Sequence, residues 1–497
     1  MNGKGKLLAM LALALWLLAG CAAQIEERPM EDLSGVEIAP GAQAPLQDAY
    51  APQRATVMLY FLSEDGSALV PVAREITVED GSHLAQAAYR ALMGGPLEGE
   101  EGVFWPASGM PGALRPVEVS GMTATVDLPA RVRELPQEQL YALRQGVANT
   151  LTELPGISYV NVLVGGREEG FDLGATFPVG TLSRVDDMDV GAQYARTDEL
   201  RQSSTGVTRL TTLWFPTADG TMLLPEVRSI SYASASPVEY MYTLLEQLGN
   251  GTGMDMAMRR VPAPLDYIEE MPDIVRTEDG AYRAIELRFL PTLDEALADK
   301  GIGRAVYIGM LTNTLMGFVP GVEGVQVFIG DERITGVSAE QTPDGVAFEF
   351  AQTLATRQDF THYAGAVCTL YVPQDGALVR RDCVIAQSLQ GSPRERLTAL
   401  LRQEDMPLKG IGEGDILAVE IRDEDILVHL SKDAALAIAA LSPQEERAVI
   451  YAMVNTLTQD AGRMDVRFFF DGAQVQELAG GLDLRGRMTR NPGMVVD

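Results

Sequence analysis

Three cysteines, Cys21, Cys368 and Cys383, are the side chains able to act through sulfur. The last two stand at equal distances on either side of Asp375-Gly376. Asp-Gly accommodates the positive φ of a tight hairpin turn. Opposed across such a hairpin, the two thiols face the same side of neighbouring strands. Counting outward from a two-residue turn puts them at a hydrogen-bonded pair, with Cα atoms about 5.5 Å apart, within reach of a cross-strand disulfide. The sequence leaves the redox state open. Only His83, His362 and His429 are present, scattered with no close His or Cys partner, so neither zinc nor another metal is expected. The chain has no Gly-rich phosphate loop, no His-Glu-x-x-His and no Gly-x-Ser-x-Gly. Its 69 Asp and Glu guarantee chance carboxylate pairs, so no general acid is nominated and no cofactor is expected.

The polar residue that recurs is asparagine. Asn149, Asn313 and Asn455 are each followed by Thr-Leu. Such an Asn either lines a ligand cleft, one per copy, or hydrogen-bonds backbone near a helix end with its short amide. The second reading is favoured, because core positions recur with the Asn and no other chemistry does. Arg74 and Arg228 recur as well and read as sheet-end or carboxylate partners.

The elements that must position these residues also repeat, a signature of arrayed modules. After each Asn-Thr-Leu comes a turn and an alternating apolar run: Val160, Val162, Val164; Val325, Val327, Ile329; Val466, Phe468, Phe470. Period-two apolar residues point to one side of a sheet. Upstream, Leu59-Tyr60-Phe61, Leu213-Trp214-Phe215 and Leu370-Tyr371-Val372 each run into Asp-Gly and predict hairpins. Helices are expected after Ser82, at Ser236-Pro237-Val238-Glu239 and at Ser392-Pro393-Arg394-Glu395, the last two matching a capping box with proline in the first turn. Thr123 to Leu128, Ala284 to Phe289 and Ile426 to Leu430 predict middle strands, and the helix leading to each Asn begins near Gln137 and Pro443 in copies one and three. The order strand, strand, helix, strand, helix, strand makes each copy a small α+β module, a mixed sheet with two helices on one face. The expected modules cover residues 55–180, 207–335 and 365–475, with a tail at 476–497. Residues around Asp266 to Tyr282 look like an insertion in copy two. Asp186 to Gly206 and Ala339 to Thr361 look like polar joints, the second with a candidate strand at Val346-Ala347-Phe348.

At the N-terminus, Lys4 and Lys6 precede an apolar run from Leu7 to Ala19 and then Leu18-Ala19-Gly20-Cys21. The run is shorter than the roughly 20 residues a spanning helix needs, so residues 1–21 read as an export signal. The cysteine after Leu-Ala-Gly resembles the bacterial lipobox. That resemblance implies a diacylated Cys21 as the first mature residue, anchored by about 0.8 kcal/mol per buried methylene. Residues 22–54, rich in Pro, Ala and acids, are expected to be a tether off the membrane. Lys and Arg number 39 against the 69 acids, a net charge of −30, so nucleic acid is an unsuitable partner.

The lipobox, the aromatic strand with Asp-Gly, Val-Pro-x-x-Arg and Asn-Thr-Leu-Thr-x-x-Pro-Gly before a Val-x-Val strand together resemble the GerMN domain of sporulation and spore germination lipoproteins. The resemblance is clearest over residues 55–180, weaker over 207–335 and weakest over 365–475, where the Pro and Arg of the returning strand are gone. Family members of this kind usually carry two such domains, so a third is a departure. The resemblance implies a spore-forming bacterial source, a place on the outer face of the membrane, and a fold similar to ring-building modules of secretion-like assemblies. With no reaction centre in the sequence, the expected function is a non-catalytic scaffold or interaction module, with protein partners in an envelope or sporulation complex and self-association left open. The alternatives are a cell-wall glycan or peptide binder and a wall hydrolase, which would need a convergent carboxylate pair in a cleft.

Overall fold

Each expected hairpin forms where aromatic and β-branched residues lead into Asp-Gly: Gln53–Ser63 with Leu69–Val78, Val207–Pro216 with Leu223–Tyr232, and Gly365–Gln374 with Ala377–Ala386. The structure is a computed structural model that describes residues 47–79, 83–110, 114–170, 177–203, 206–277, 280, 282–459 and 464–496. The export signal, Cys21, most of the tether and Ser82 lie outside the described residues. In the third hairpin Gln374 opposes Ala377 across a two-residue turn, with φ of 51° at Asp375 and 79° at Gly376, the sign the turn type requires.

After each hairpin comes one helix, Leu84–Met93, Pro237–Gly249 or Pro393–Leu401. Ser236 and Ser392 cap the second and third through their hydroxyls, while His83 caps the first by accepting from the Gln86 N–H. A mixed sheet then follows in every module, ordered edge, middle, closing, outer, four-stranded in modules one and two and extended to five strands in module three by a strand added at its edge. Its edge and middle strands are antiparallel, the middle and closing strands parallel, and the outer strand antiparallel. The middle strands are Thr123–Leu128, Arg283–Phe289 and Asp425–Leu430. A parallel middle-to-closing connection requires a crossover, supplied by the long helices Gln137–Thr152, Arg304–Met316 and Pro443–Thr458.

The fold is α+β with mixed sheets. The strands of one module divide between two sheets, however, with the hairpin separate from the mixed sheet. Each long helix packs against both the hairpin's first strand and the closing strand. Asp266 to Tyr282 is not an insertion. It holds the edge strand Ile268–Arg276, the counterpart of Glu118–Ser120 and Ile416–Arg422. Register shifts between Ile268, Glu270 and Asp273 break its apolar alternation, which is why the sequence hid it. The first joint contains the helix Val190–Ser203. In the second, Phe348–Glu349 pairs with Gly336–Val337. The expected tail is packed structure: Val495–Val496 pairs with the third hairpin, and Leu478 and Leu484 are buried in the third core.

Buried apolar side chains form one principal cluster per module. They centre on Leu59, Tyr89 and Val147, on Trp214, Tyr240 and Leu311, and on Leu370, Leu397 and Met453. The modules nonetheless interlock. Arg357, after module two, pairs with Glu118 of module one at 3.2 Å, and the Thr181 and Thr212 hydroxyls meet at 2.7 Å. The Glu168 N–H donates to the Met316 carbonyl at 3.0 Å. Leu223 forms an isolated bridge with Ala364, and the edge strand of module one lies against the hairpin of module three. The end of the expected tether is docked: Ala49–Tyr50 adds a parallel strand to Ile416–Arg422 of module three. Asp48 fastens it, accepting from the Val419 N–H at 2.9 Å and from Arg394 Nε at 2.7 Å.

Candidate functional site

The repeated Asn-Thr pair lies near the end of each long helix, where the helix meets the hairpin's first strand. Gly146 permits this approach in module one, since a Cβ there would lie 2.8 Å from the Tyr60 carbonyl oxygen. The threonine does the same job three times. Thr150 Oγ1 accepts from the N–H of Tyr60, Thr314 Oγ1 from that of Trp214 and Thr456 Oγ1 from that of Tyr371, each at 3.0 Å. All three threonines are completely buried. Each hydroxyl thus satisfies a strand donor that a neighbouring strand would otherwise take.

The asparagines hold the chain as it leaves the module. Asn149 Nδ2 donates to the Val185 carbonyl at 2.9 Å, and Asn149 Oδ1 accepts from the Val185 N–H at 3.1 Å. Asn455 makes the same reciprocal pair with Asn491, at 3.0 and 2.8 Å. In both modules the partner stands 36 positions after the Asn. One amide thereby imitates a strand neighbour for one residue. Asn313 departs from this: its Oδ1 is buried with no hydrogen-bond partner among the described residues, and its backbone carbonyl accepts from Arg357 at 3.3 Å instead.

An arginine completes each seat. The residue before the Asn-held partner is Arg184 in module one and Arg490 in module three, and the guanidinium lies over the repeated aromatic ring. The distances are 5.7 Å from Arg184 to Tyr60, 5.4 Å from Arg490 to Tyr371 and 5.4 Å from Arg357 to Trp214. Arg184 also donates to the Tyr60 hydroxyl at 3.1 Å and pairs with Glu153. Hydrogen bonds from Tyr60 and Arg184 hold the Glu153 carboxyl below its ordinary range, while burial and then Glu153 push the Tyr60 hydroxyl up. Sequence reasoning singled out the Asn but not the Thr beside it, the aromatic or the arginine. The equal spacing of Arg184-Val185 and Arg490-Asn491 from their asparagines was the available signal.

Arg74 and Arg228 form a second repeated device. Arg74 donates to the carbonyls of Ala91 at 3.1 Å and Gly95 at 3.2 Å, at the end of the first helix, and pairs with Glu100. Arg228 donates to those of Gln247 at 3.4 Å and Gly251 at 2.6 Å and pairs with Glu226 at 2.7 Å. Each guanidinium lies 5.2 Å from a phenylalanine ring, Phe61 or Phe215. A cation at the carbonyl end of a helix is favourably placed.

Among the described residues no group of three His, Cys, Asp or Glu side chains gathers as a metal site requires. A cleft of about 330 Å³ is lined by Asp219, Asp294 and Glu340. Burial opposes ionisation of Asp219, but hydrogen bonds from Thr217 and Thr221 hold its carboxyl below the ordinary value, Glu340 is likewise lowered, and Asp294 pairs with Arg304 at 2.5 Å. For Asp219 and Glu340 that is the wrong direction for a general acid. Among the described residues burial pushes up two carboxyls where the modules meet: Glu118, with Arg357 opposing the shift, and Glu168, fully enclosed and raised to about 8, with Arg144 opposing it.

Residues 58–170 match the family model described as Germane, sporulation and spore germination. Among solved structures, the tandem GerMN domains of a Bacillus subtilis sporulation protein are similar at 16% identity and a TM-score of 0.22, covering 61% of this chain and 100% of that one. The crystal structure of a putative lipoprotein from Clostridium perfringens is similar at 20% identity and a TM-score of 0.18, over 28% of this chain and 91% of that one. The first GerMN domain of the same Bacillus subtilis protein matches at 24% identity and a TM-score of 0.18, over 27% of this chain and 97% of that one. A comparison with curated proteins gives no match.

Proposed function

We propose, from a chain whose residues 58–170 match the sporulation and spore germination family model, that the protein acts by binding. In this reading it is a non-catalytic lipoprotein, held by Cys21 on the extracytoplasmic face of the cell membrane, that presents an interlocked three-module body to a protein partner in the envelope. The observation that carries the reading is the internal use of the repeated polar groups. In modules one and three the Asn amide, the Thr hydroxyl and the arginine are all engaged by the chain itself. What the modules offer a neighbour is therefore surface shape and charge, and a net charge of −30 favours a partner with basic contacts.

The test is recovery of partners from sporulating cells by cross-linking to the tagged protein, beside a Cys21→Ser variant. The expected result is a specific membrane partner recovered with the wild type, and release of the variant into the soluble extracytoplasmic fraction or its retention uncleaved. Unchanged lipid labelling of the variant would end the anchor reading. Absence of any specific cross-link would end the binding reading.

A further inference from the structure

The three hairpins share one register, and Cys383 occupies the position of the helix-anchoring arginine. Val57 opposes Arg74, Thr211 opposes Arg228 and Cys368 opposes Cys383. Each of these pairs lies three residues from the seat aromatic, Tyr60, Trp214 or Tyr371. Module three thus lacks the guanidinium that ties the returning strand to the end of the first helix. Its neighbour Arg381 instead reaches past the helix end to Gln403 and Asp405. At the vacated position the two cysteine sulfurs lie 2.9 Å apart, Cys368 buried and Cys383 partly exposed.

We infer that Cys368 and Cys383 are joined by a disulfide in the exported protein, and that this cross-strand bond replaces, in module three, the anchoring by Arg74 and Arg228 in modules one and two. The inference rests on the extracytoplasmic reading for its oxidant, a small-molecule or protein disulfide, written RSSR. The Cys383 thiolate, on the accessible side, attacks RSSR and releases one RS⁻, leaving a mixed disulfide. The Cys368 thiolate then attacks the Cys383 sulfur and the second RS⁻ leaves. The two cysteines together lose two protons and two electrons, and RSSR is reduced to two RSH. The bond joins residues 15 positions apart within an already tight hairpin. It holds the returning strand covalently, at the position where the arginine holds it by tying the strand to the helix end.

Trypsin cuts after Arg380 and Arg381 and so separates the two cysteines. Full-length protein from cells lysed in N-ethylmaleimide should yield the Cys368 and Cys383 peptides linked, two hydrogens lighter than their sum. Purified, reduced protein incubated with glutathione disulfide should give the same linked pair. Linkage by glutathione disulfide beside an unlinked cellular pool would overturn the extracytoplasmic premise and leave the pairing supported. Alkylation of both cysteines in both samples would overturn the inference itself. Reducing the wild type should lower its Tm by several degrees. A Cys368→Thr, Cys383→Arg double variant, which reproduces the Thr211 and Arg228 pair, should melt above the reduced wild type with no response to reductant. A wild-type Tm indifferent to reductant would contradict the anchoring role.

Discussion

A buried hydroxyl or amide that serves a backbone group is worth what its removal leaves unpaired. Thr456→Val is nearly isosteric but strips the Tyr371 N–H of its acceptor, so urea unfolding should show a loss of about 1–3 kcal/mol, with Thr456→Ser recovering most of it. The asparagines separate further. Asn149→Ala removes two bonds to Val185, whereas Asn313→Ala removes a side chain whose oxygen has no partner. Asn149→Ala should therefore destabilise by about 1–3 kcal/mol and Asn313→Ala by clearly less. Equal losses would contradict the seat geometry. Glu168 gives a pH dependence of definite sign. Its carboxyl is raised from 4.5 to about 8, so between these values the folded state keeps a proton that the unfolded state has released. That contribution is full below about 4.5, is lost as pH rises, and levels off above about 8. Glu168→Gln should flatten stability against pH in this window relative to the wild type, measured by denaturant midpoints. At this scale the sequence disclosed Asn149, Asn313 and Asn455 through the motif around them. Arg184 and Arg490 stayed hidden because a stacked guanidinium leaves no periodic pattern in the segment that carries it.

Helices and strands are joined here by a few charged contacts with clear geometry. The Arg228 guanidinium holds the returning strand to the end of Pro237–Gly249 through two carbonyls and Glu226. Arg228→Met keeps an apolar stem near Phe215 and loses those bonds, so module two should lose roughly 1.5–3 kcal/mol in urea unfolding. The hairpins were legible, down to the register that pairs Cys368 with Cys383, because a two-residue turn fixes all pairings beyond it. The middle and closing strands were legible from period-two apolar residues. The edge strands were not: Glu118–Ser120 is three residues long, and Ile268–Arg276 is bulged and acidic, so neither shows the alternation that marks a strand. Division of each module into two sheets was also invisible, since it depends on which strands pair and not on their pattern.

As a whole molecule the chain departs from independent units in series. Each module has its principal core, but Arg357 reaches Glu118, Glu168 bonds the end of the helix Arg304–Met316, and Asp48 with Ala49–Tyr50 ties the start of the described chain to module three. Composition carried no trace of this interlocking, because the contacts are single residues in segments that read as joints or tether. Under the proposed reading, these contacts would let one partner engage surfaces of several modules at once. The central claim, that this body binds and does not catalyse, is tested most directly by incubating the purified mature protein with purified wall polymer and measuring the release of soluble fragments. The account predicts release no greater than in buffer. Release that is abolished by a single carboxylate substitution, with the melting curve unchanged, would contradict it.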